Sequence, residues 1–388
     1  MSNEQTLSII KPDAVERNLV EEIKNIFIKN SLKIKDSKKI QITKDEAADF
    51  YKGKTIRVLI GYSAGGGYDA YARLVSRNMA RYIPGNPTVV PQQMPGAGSL
   101  VAAGYLYHKA KRDGTVMATI SQNAAISKIL EPKRVKLDPG KLTWIGNANE
   151  GNNIIMMWHT AKVKSWKDLK KREYIIGGVG TRGTSVQYPR AMNNVLGTKF
   201  KIIHGFRGGS RINLAMERGE VEGRGSNAWT SLKARTPRYL KEKLVTVVVQ
   251  MGLTKEKDLD VPLLHTLAPN EAGRQVLRLL SSGVRVGRPL VSTPGLPVSR
   301  GQTLRSAFNA TMDDKQFLAE AKRAKLDVNP VSGIEVQKLI LETLQAPMEI
   351  VKLTRAALSK GKLFKCKAIV KNKKLCKSKK KKKKKKKS

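Results

Sequence analysis

The run Ser63-Ala64-Gly65-Gly66-Gly67-Tyr68-Asp69 lies between a strand pattern and a helix pattern. Three consecutive glycines let the backbone approach a bound group closely and turn its amides toward it. An anion at that place meets unpaired N–H groups and the positive end of a helix dipole. Alone, the run is neither a Walker lysine loop nor a dinucleotide GxGxxG, and Asp69 at a helix start serves equally well as a cap. A second loop, from Gly177 to Ser185, repeats the arrangement after another strand and offers Gly180, Thr181, Thr184 and Ser185. Two such loops facing one another would clamp a dicarboxylate through backbone amides. Asn123 and Asn227 follow strand patterns where a cleft-facing amide is useful, although loop amides commonly cap their own backbone. Arg224 could meet a second carboxylate, against the commoner fate of a solvated surface charge. Within the first loop, Gly66 is the position where a side chain is expected to block backbone approach or a left-handed conformation.

Chemistry beyond binding is not written into these residues. His108, His159, His204 and His265 are scattered without ligand spacing, which argues against a metal site. No GxSxG elbow and no paired nucleophile and base are present. Neither metal nor cofactor is expected, and Trp144, Trp158, Trp166 and Trp229 fit core packing.

Short apolar strands alternate with helical patterns around these loops, the signature of α/β layers. A first series runs through a strand at Thr55 to Ser63, a helix at Asp69 to Tyr82 with Leu74 and Met79 inward, a strand at Pro87 to Gln92, a helix at Gly98 to Ala110 and a strand at Thr115 to Ser121. A second series holds a helix at Ser165 to Arg172, a strand at Tyr174 to Val179, a helix from Thr184, a strand at Lys201 to His204 and a helix at Arg211 to Arg218. Two series joined by extended crossings predict two lobes with a cleft between them, and ligands of such sheets sit beyond the carboxyl ends of the strands. Val284 to Val298 reads as the chain returning to the first lobe.

Charge divides the chain further. With 388 residues, 40% of them hydrophobic, there is enough apolar surface for two or three folding units. The formal net charge is +43, yet residues 1 to 50 balance nine basic against nine acidic side chains. Residues 361 to 388 hold sixteen lysines and no acid, leaving +27 for the middle. The unbroken run Lys379 to Lys387 repels itself, which predicts a disordered Lys-rich tail over 361–388. Such a tail would allow nonspecific polyanion binding by counterion release, although translation of an A-rich stretch explains it as well. Cys366 and Cys376 fit neither a zinc knuckle nor a redox pair, and the rest of the chain is cysteine-free, as suits folding without disulfides. No run of about 18 apolar residues occurs, and the N-terminus lacks the pattern of a secretory signal. As written, the chain is expected to stay in the cytoplasm.

Two families are resembled. TLSIIKPDAVERN, an apolar helix pattern with Ile23, Ile26 and Phe27, LKIKDSKKIQI and TKDEAADFY resemble the first third of nucleoside diphosphate kinases over Thr6 to Tyr51. The resemblance implies a truncated ferredoxin-like βαβ fragment in which only Lys11 and Tyr51 carry over as vestigial nucleotide-binding residues. Phosphoryl transfer is the alternative function it implies. The family's phosphate-accepting histidine lies beyond the match and this chain has none before His108, so that activity is expected to be absent. The long run from Ile56 to Ser121, then GGVGTRGTS, HGFRGGS, AMERGEVEG and Pro294-Gly-Leu-Pro297, resemble the solute-binding receptors of tripartite tricarboxylate transporters, the Bug-type proteins, over about residues 54–353. That likeness implies a type II periplasmic-binding-protein architecture, a small carboxylate as ligand, no catalysis, a monomer, a periplasmic location and membrane components of the transporter as partners if the chain is exported. The expected domains are 1–51, a solute-binding domain at 52–360 with lobe 1 at about 54–155 and 284–360 and lobe 2 at about 156–283, and the tail. A chimeric reading frame accounts for both junctions.

Overall fold

The computed structural model describes residues 19–34, 44–359, 364, 366–370 and 372–377. The chain separates into two units, Met1–Thr43 and Lys44–Ser388. In the first, helix α1 spans Val20–Lys29 with Glu21 and Glu22 in its first turn and Lys29 in its last, charges that complement the helix dipole. None of its residues is buried, and Ile26 and Ile28 are exposed. The strand expected around Ser8 to Ile10 and the candidate Lys11 lie outside the described residues.

The second unit opens with helix α2, Lys44–Tyr51, and leads into two sheets. The first sheet contains β1 (Thr55–Ile60), β2 (Thr88–Gln93), β3 (Val116–Thr119) and β4 (Thr143–Asn147). Between them run helices α3 (Gly67–Met79), α4 (Leu100–His108) and α5 (Ala124–Leu130). Leu74 and Met79 of α3 face the core as their spacing predicts. The second sheet contains β5 (Asn153–Trp158), β6 (Tyr174–Gly178), β7 (Phe200–His204), β8 (Gly223–Ala228) and β9 (Val245–Met251). Its helices are α6 (Thr184–Leu196), α7 (Gly209–Glu217), α8 (Trp229–Arg235) and α9 (Pro237–Lys241). The helix expected over Ser165 to Arg172 is reduced to a single 3₁₀ turn at Asp168–Lys170, where Asp168 accepts the backbone N–H groups of Lys164 and Ser165 in a local turn.

After α10 (Glu271–Ser282) the chain returns as β10 (Pro289–Ser292), which enters the first sheet antiparallel between β3 and β4. The last elements are α11 (Val298–Asp313), α12 (Lys315–Arg323), β11 (Val331–Ser332), α13 (Gly333–Leu344) and α14 (Met348–Ala357). Sheet orders are β11-β4-β10-β3-β1-β2 and β7-β6-β8-β5-β9. The architecture is α/β and two-lobed, and each sheet mixes parallel pairs with a strand inserted antiparallel, where the sequence pattern alone suggested parallel layers. Among the described residues, no helix is long and apolar enough to cross a membrane.

Besides the short link from α13 to α14, two segments cross between the lobes, and one side chain ties them. Asn147, fully buried, accepts the N–H of Asn149 at 2.9 Å and of Arg288 at 2.7 Å through Oδ1, and its Nδ2 donates to the Arg285 carbonyl at 3.2 Å. The first crossing is complete by Asn153, so β5 lies wholly in the second sheet. Helix α14 buries Val351, Leu353 and Ala357 in the apolar cluster that also holds Met192 of α6 and Leu277 of α10, so the chain's last helix packs on the second lobe.

Helix α2 belongs to the core of the second unit. Tyr51 is fully buried among Ile56, Ile83 and Leu296, and Phe50 lies under the guanidinium of Arg300, 3.6 Å from its ring centroid. Gly114 makes room for the tyrosine: a Cβ there would fall 2.4 Å from the Tyr51 hydroxyl. Removal of residues 1–51 is therefore expected to destabilise the fold, because that cut takes away a core side chain. In the tail, Cys366 and Cys376 form a disulfide with Cα atoms 5.7 Å apart, which corrects the expectation of folding without one. Both are buried with Val370 against the second lobe, and Asn270 Nδ2 donates to the Cys376 carbonyl at 3.5 Å.

Replacing Tyr51 by alanine is expected to cost about 3–5 kcal/mol in urea denaturation, the range of buried aromatic truncations. Tyr51→Phe should match or exceed wild-type stability, since the hydroxyl is buried without a partner. Reduction by dithiothreitol should speed trypsin cleavage within residues 366–377 while residues 44–359 stay resistant, as read by limited proteolysis and mass spectrometry.

Candidate functional site

The first glycine loop leaves β1 beside lobe 2. Gly65 has φ +82°, a left-handed conformation natural to glycine, and Gly67 opens α3. Asp69, 5% exposed, shapes this loop: Oδ2 accepts the Gly65 N–H at 3.0 Å, while Oδ1 accepts Arg73 Nε and Gln93 Nε2, each at 2.8 Å. Its carboxylate is spent on the loop and on α3, so it organises amides for something else to use.

Across the cleft, Ser63 N–H donates to the Arg207 carbonyl at 3.1 Å and Ser210 Oγ donates to the Ala64 carbonyl at 2.9 Å. The fit is closest where side chains are missing. A Cβ on Gly67 would lie 2.1 Å from Ser231 Oγ, and one on Gly208 would lie 2.2 Å from Ser63 Oγ. Gly66, by contrast, has φ −85°, and a Cβ there would meet nothing nearer than the Ser63 carbonyl at 3.9 Å. The sterically critical glycines are thus Gly67 and Gly208, in place of Gly66, because the loop turns Gly66 toward open space.

The second loop has a different neighbour from the one its sequence suggests. Val179 N–H donates to Ser185 Oγ at 2.9 Å and Gly183 N–H to the Gly180 carbonyl at 2.8 Å, which folds the loop onto itself. Its lobe 1 contact is Ala97-Gly98: a Cβ on Gly180 would stand 2.6 Å from Gly98 N. Thr181 is exposed, and Thr184 is half-buried at the start of α6. The two clamp loops therefore meet separate partners, the first facing Arg207 to Ser210 and Ser231, the second facing a third loop. In that third loop Ala97, Gly98 and Ser99 all have positive φ, of 48°, 68° and 77°. A left-handed alanine and a left-handed serine on either side of a glycine store backbone strain of the kind found at functional turns. Ser99 Oγ there accepts the N–H of Ser121 at 2.8 Å. The sequence signal for this loop was Pro-Gly-Ala-Gly-Ser at 95–99, read only as the start of a helix.

Behind the loops lies a buried polar layer. Asn123 is fully buried and its Nδ2 donates to Gln187 Oε1 of α6 at 2.9 Å, while its Oδ1 has no partner. Arg288, 8% exposed, sits over the Tyr68 ring at 4.4 Å, and Tyr68 stacks on Tyr62 at 4.3 Å. Its Nη1 donates to Gln122 Oε1 at 3.4 Å, its Nη2 to Ser231 Oγ at 3.5 Å, and its Nε has no partner. Burial pushes the Tyr62 phenol well above the ordinary tyrosine range. Arg288 was not singled out from the sequence, where a lone arginine after a glycine carries no signal.

A cavity of about 310 Å³ opens between Gly65, Gly66 and Gly67 of lobe 1 and Ser210, Asn227 and Ser231 of lobe 2, with Arg224 also in its wall. Asn227 is 5% exposed on β8. Arg224 is lowered to about 9, first by burial and then by the charge of Arg288. Tyr51, one of the two vestigial nucleotide candidates, is remote in role: it is core, with its hydroxyl under Gly114. Among the described residues, no three His, Cys, Asp or Glu side chains come together as a metal site.

Two mixed sheets joined by crossovers, with the chain's loops meeting at a cleft, have the fold of type II periplasmic binding proteins. Among solved structures, a periplasmic transporter superposes with TM-score 0.64 at 21% identity, covering 80% of this chain and 100% of its own. The periplasmic binding protein BugD gives 0.63 at 16% identity, covering 79% and 98%, and MatC from Rhodopseudomonas palustris with bound malate gives 0.62 at 17%, covering 77% and 99%. The chain thus has the fold of the Bug- and TctC-type solute-binding proteins and resembles them over most of its length. At its N-terminus, residues 4–59 match the nucleoside diphosphate kinase family model, a span that runs past Tyr51 into β1. The nucleoside diphosphate kinase of Nitratiruptor sp. is 53% identical over 49 residues, and nucleoside diphosphate kinase 1 of Protochlamydia amoebophila is 53% identical over 51; each match covers 13% of this chain. The chain spans 36% of the length of these curated relatives.

Gly67→Ala should hold the lobes apart, raising the radius of gyration in small-angle X-ray scattering, whereas Gly66→Ala should give the wild-type curve. Indistinguishable curves for both variants would mean that the close fit at Ser231 does not limit closure.

Proposed function

We propose that residues 52–360 form a receptor that captures a small carboxylate, di- or tricarboxylate-like, in the interlobe cleft and releases it unmodified to membrane components of a tripartite tricarboxylate transporter. The observation that carries this reading is the cavity between the Gly66 and Gly67 amides and the polar wall of lobe 2, with the lobes in direct contact at its edge. Backbone N–H groups at the N-terminus of α3 suit a carboxylate, and pockets of roughly 300–1,000 Å³ are typical of small-molecule sites. MatC with its malate and the R. palustris protein with adipate share the fold and hold carboxylates, which supports the ligand class. Ser63, Ala64, Gly65, Gly66 and Gly67 supply the first clamp, organised by Asp69. Asn227 lies in the wall, Asn123 reaches from lobe 1 to Gln187 of lobe 2, and Gly180, Thr181, Thr184 and Ser185 contribute from the lobe 2 side of the cleft.

The reading assigns the domain no catalysis, no metal and no cofactor, and a monomeric state. It places the working receptor in the periplasm, where the Cys366–Cys376 disulfide finds an oxidising medium. The lysine run of the tail adds nonspecific attraction to polyanions without a part in ligand capture. The second reading, phosphoryl transfer, rests on the match at residues 4–59. It lacks a nucleophile in that span, since the first histidine is His108, and Tyr51 is committed to the receptor core.

Thermal melts in the presence of mono-, di- and tricarboxylates test the proposal. A ligand at 100 times its Kd stabilises the folded state by about 2.7 kcal/mol and shifts the melt accordingly. Selective shifts with carboxylates and no phosphate transfer from ATP to a nucleoside diphosphate are expected. Flat melts with measurable transfer would reverse the assignment.

A further inference from the structure

Arg224 stands on β8, between β6 and β5 in the second sheet, and its side chain runs under the first residue of α7. The packing there leaves no slack, since a Cβ on Gly209 would lie 2.1 Å from Arg224 Nη2. Nε donates to the Ser226 carbonyl at 2.9 Å and Nη1 to Asn213 Oδ1 at 3.0 Å. These two bonds fix the plane of the guanidinium, and among the described residues Nη2 has no hydrogen-bond acceptor.

Three electrostatic facts make that position unfavourable in the empty protein. Among the described residues no carboxylate pairs with Arg224. Arg288 is near enough to depress its protonation and likewise pairs with no carboxylate among those residues. The N-terminus of α7 adds a further partial positive charge beside it, where a helix ordinarily favours an anion. Glu217 shares the cavity wall, but it already accepts the Tyr239 hydroxyl at 2.8 Å. A partly buried cation left without a counter-charge is costly, and one anion entering the cavity would offset all three terms together.

We infer that Arg224 contacts the ligand directly and takes the second acidic group of a short dicarboxylate whose first is held by the amides of Gly66 and Gly67. This rests on the receptor reading above and sharpens it: monoanions would satisfy only one end of the cavity. Both groups line the same 310 Å³ space, which limits the ligand to a small molecule. Recognition through a side-chain cation, added to backbone amides, makes charge count a criterion of selection.

Calorimetric titration of wild type, Arg224→Gln and Arg224→Lys with succinate and glutarate, and with butanoate and pentanoate as monoanions of matched length, tests the inference. The glutamine variant should bind the dicarboxylates about 10- to 100-fold more weakly, the span expected for a hydrogen bond to a charged group, with the monocarboxylates within about threefold of wild type. The lysine variant, retaining charge without the planar fork, should fall between. Melts of each unliganded variant within a few degrees of wild type establish that the fold is kept, and recovery of dicarboxylate affinity in the lysine variant provides a second check. Equal losses for both ligand classes, or none, would overturn the role of Arg224 and leave the receptor reading standing. Wild-type binding of monocarboxylates alone would do the same, whereas binding of no carboxylate at all would remove both.

Discussion

The lobes of this protein meet through backbone, and the absence of side chains at a few positions permits it. Gly67 faces Ser231, Gly208 faces Ser63 and Gly180 faces Gly98, each with room for a hydrogen but not for a methyl group. Everything at the cleft follows from that approach. The serine-to-carbonyl bond between Ser210 and Ala64 can form, and the cavity is lined from both lobes. The amides of the first loop are held in place by Asp69 through the Gly65 N–H. Preorganisation of this kind lowers the ordering cost of capturing a ligand, because the loop conformation is fixed before the ligand arrives.

The polar layer beneath the cleft has the opposite character. Asn123 Oδ1, Gln122 Nε2 and Arg288 Nε are buried and unpartnered, and Arg224 is depressed in protonation by burial and by its neighbour. Such groups cost stability that the apolar clusters around each sheet must supply.

Much of this was legible in the sequence and some of it could not have been. Strand-loop-helix periodicity located β1, α3, β6 and α6 within a few residues, because apolar spacing is a local property, and within Val284 to Val298 the strand β10 pairs with β4 of the first sheet. The antiparallel insertion of β10 was hidden, since a four-residue apolar run does not state its direction. Within the site, the glycine run announced a loop but not which glycine would meet the other lobe. That depends on Ser231, over 160 positions away. The Ala97–Ser99 turn was missed because alanine and serine give no hint of positive φ, and Arg288 because its meaning comes only from the Tyr68 ring above it and the lack of an acid around it. At the other junction, a helix that resembles part of another family's first third supplies a core tyrosine here, which pattern matching by segment cannot reveal.

Asn147 binds both crossing segments at once, gripping the Asn149 and Arg288 amides with one oxygen and the Arg285 carbonyl with its nitrogen. Those two connections are pinned at one point, while a third, from α13 on the first sheet to α14 on the second lobe, ties the lobes again through residues 345–347. Any turning of one lobe against the other about that asparagine would therefore also have to bend the short link before the last helix, so the hinge and the C-terminal helix act as one constraint.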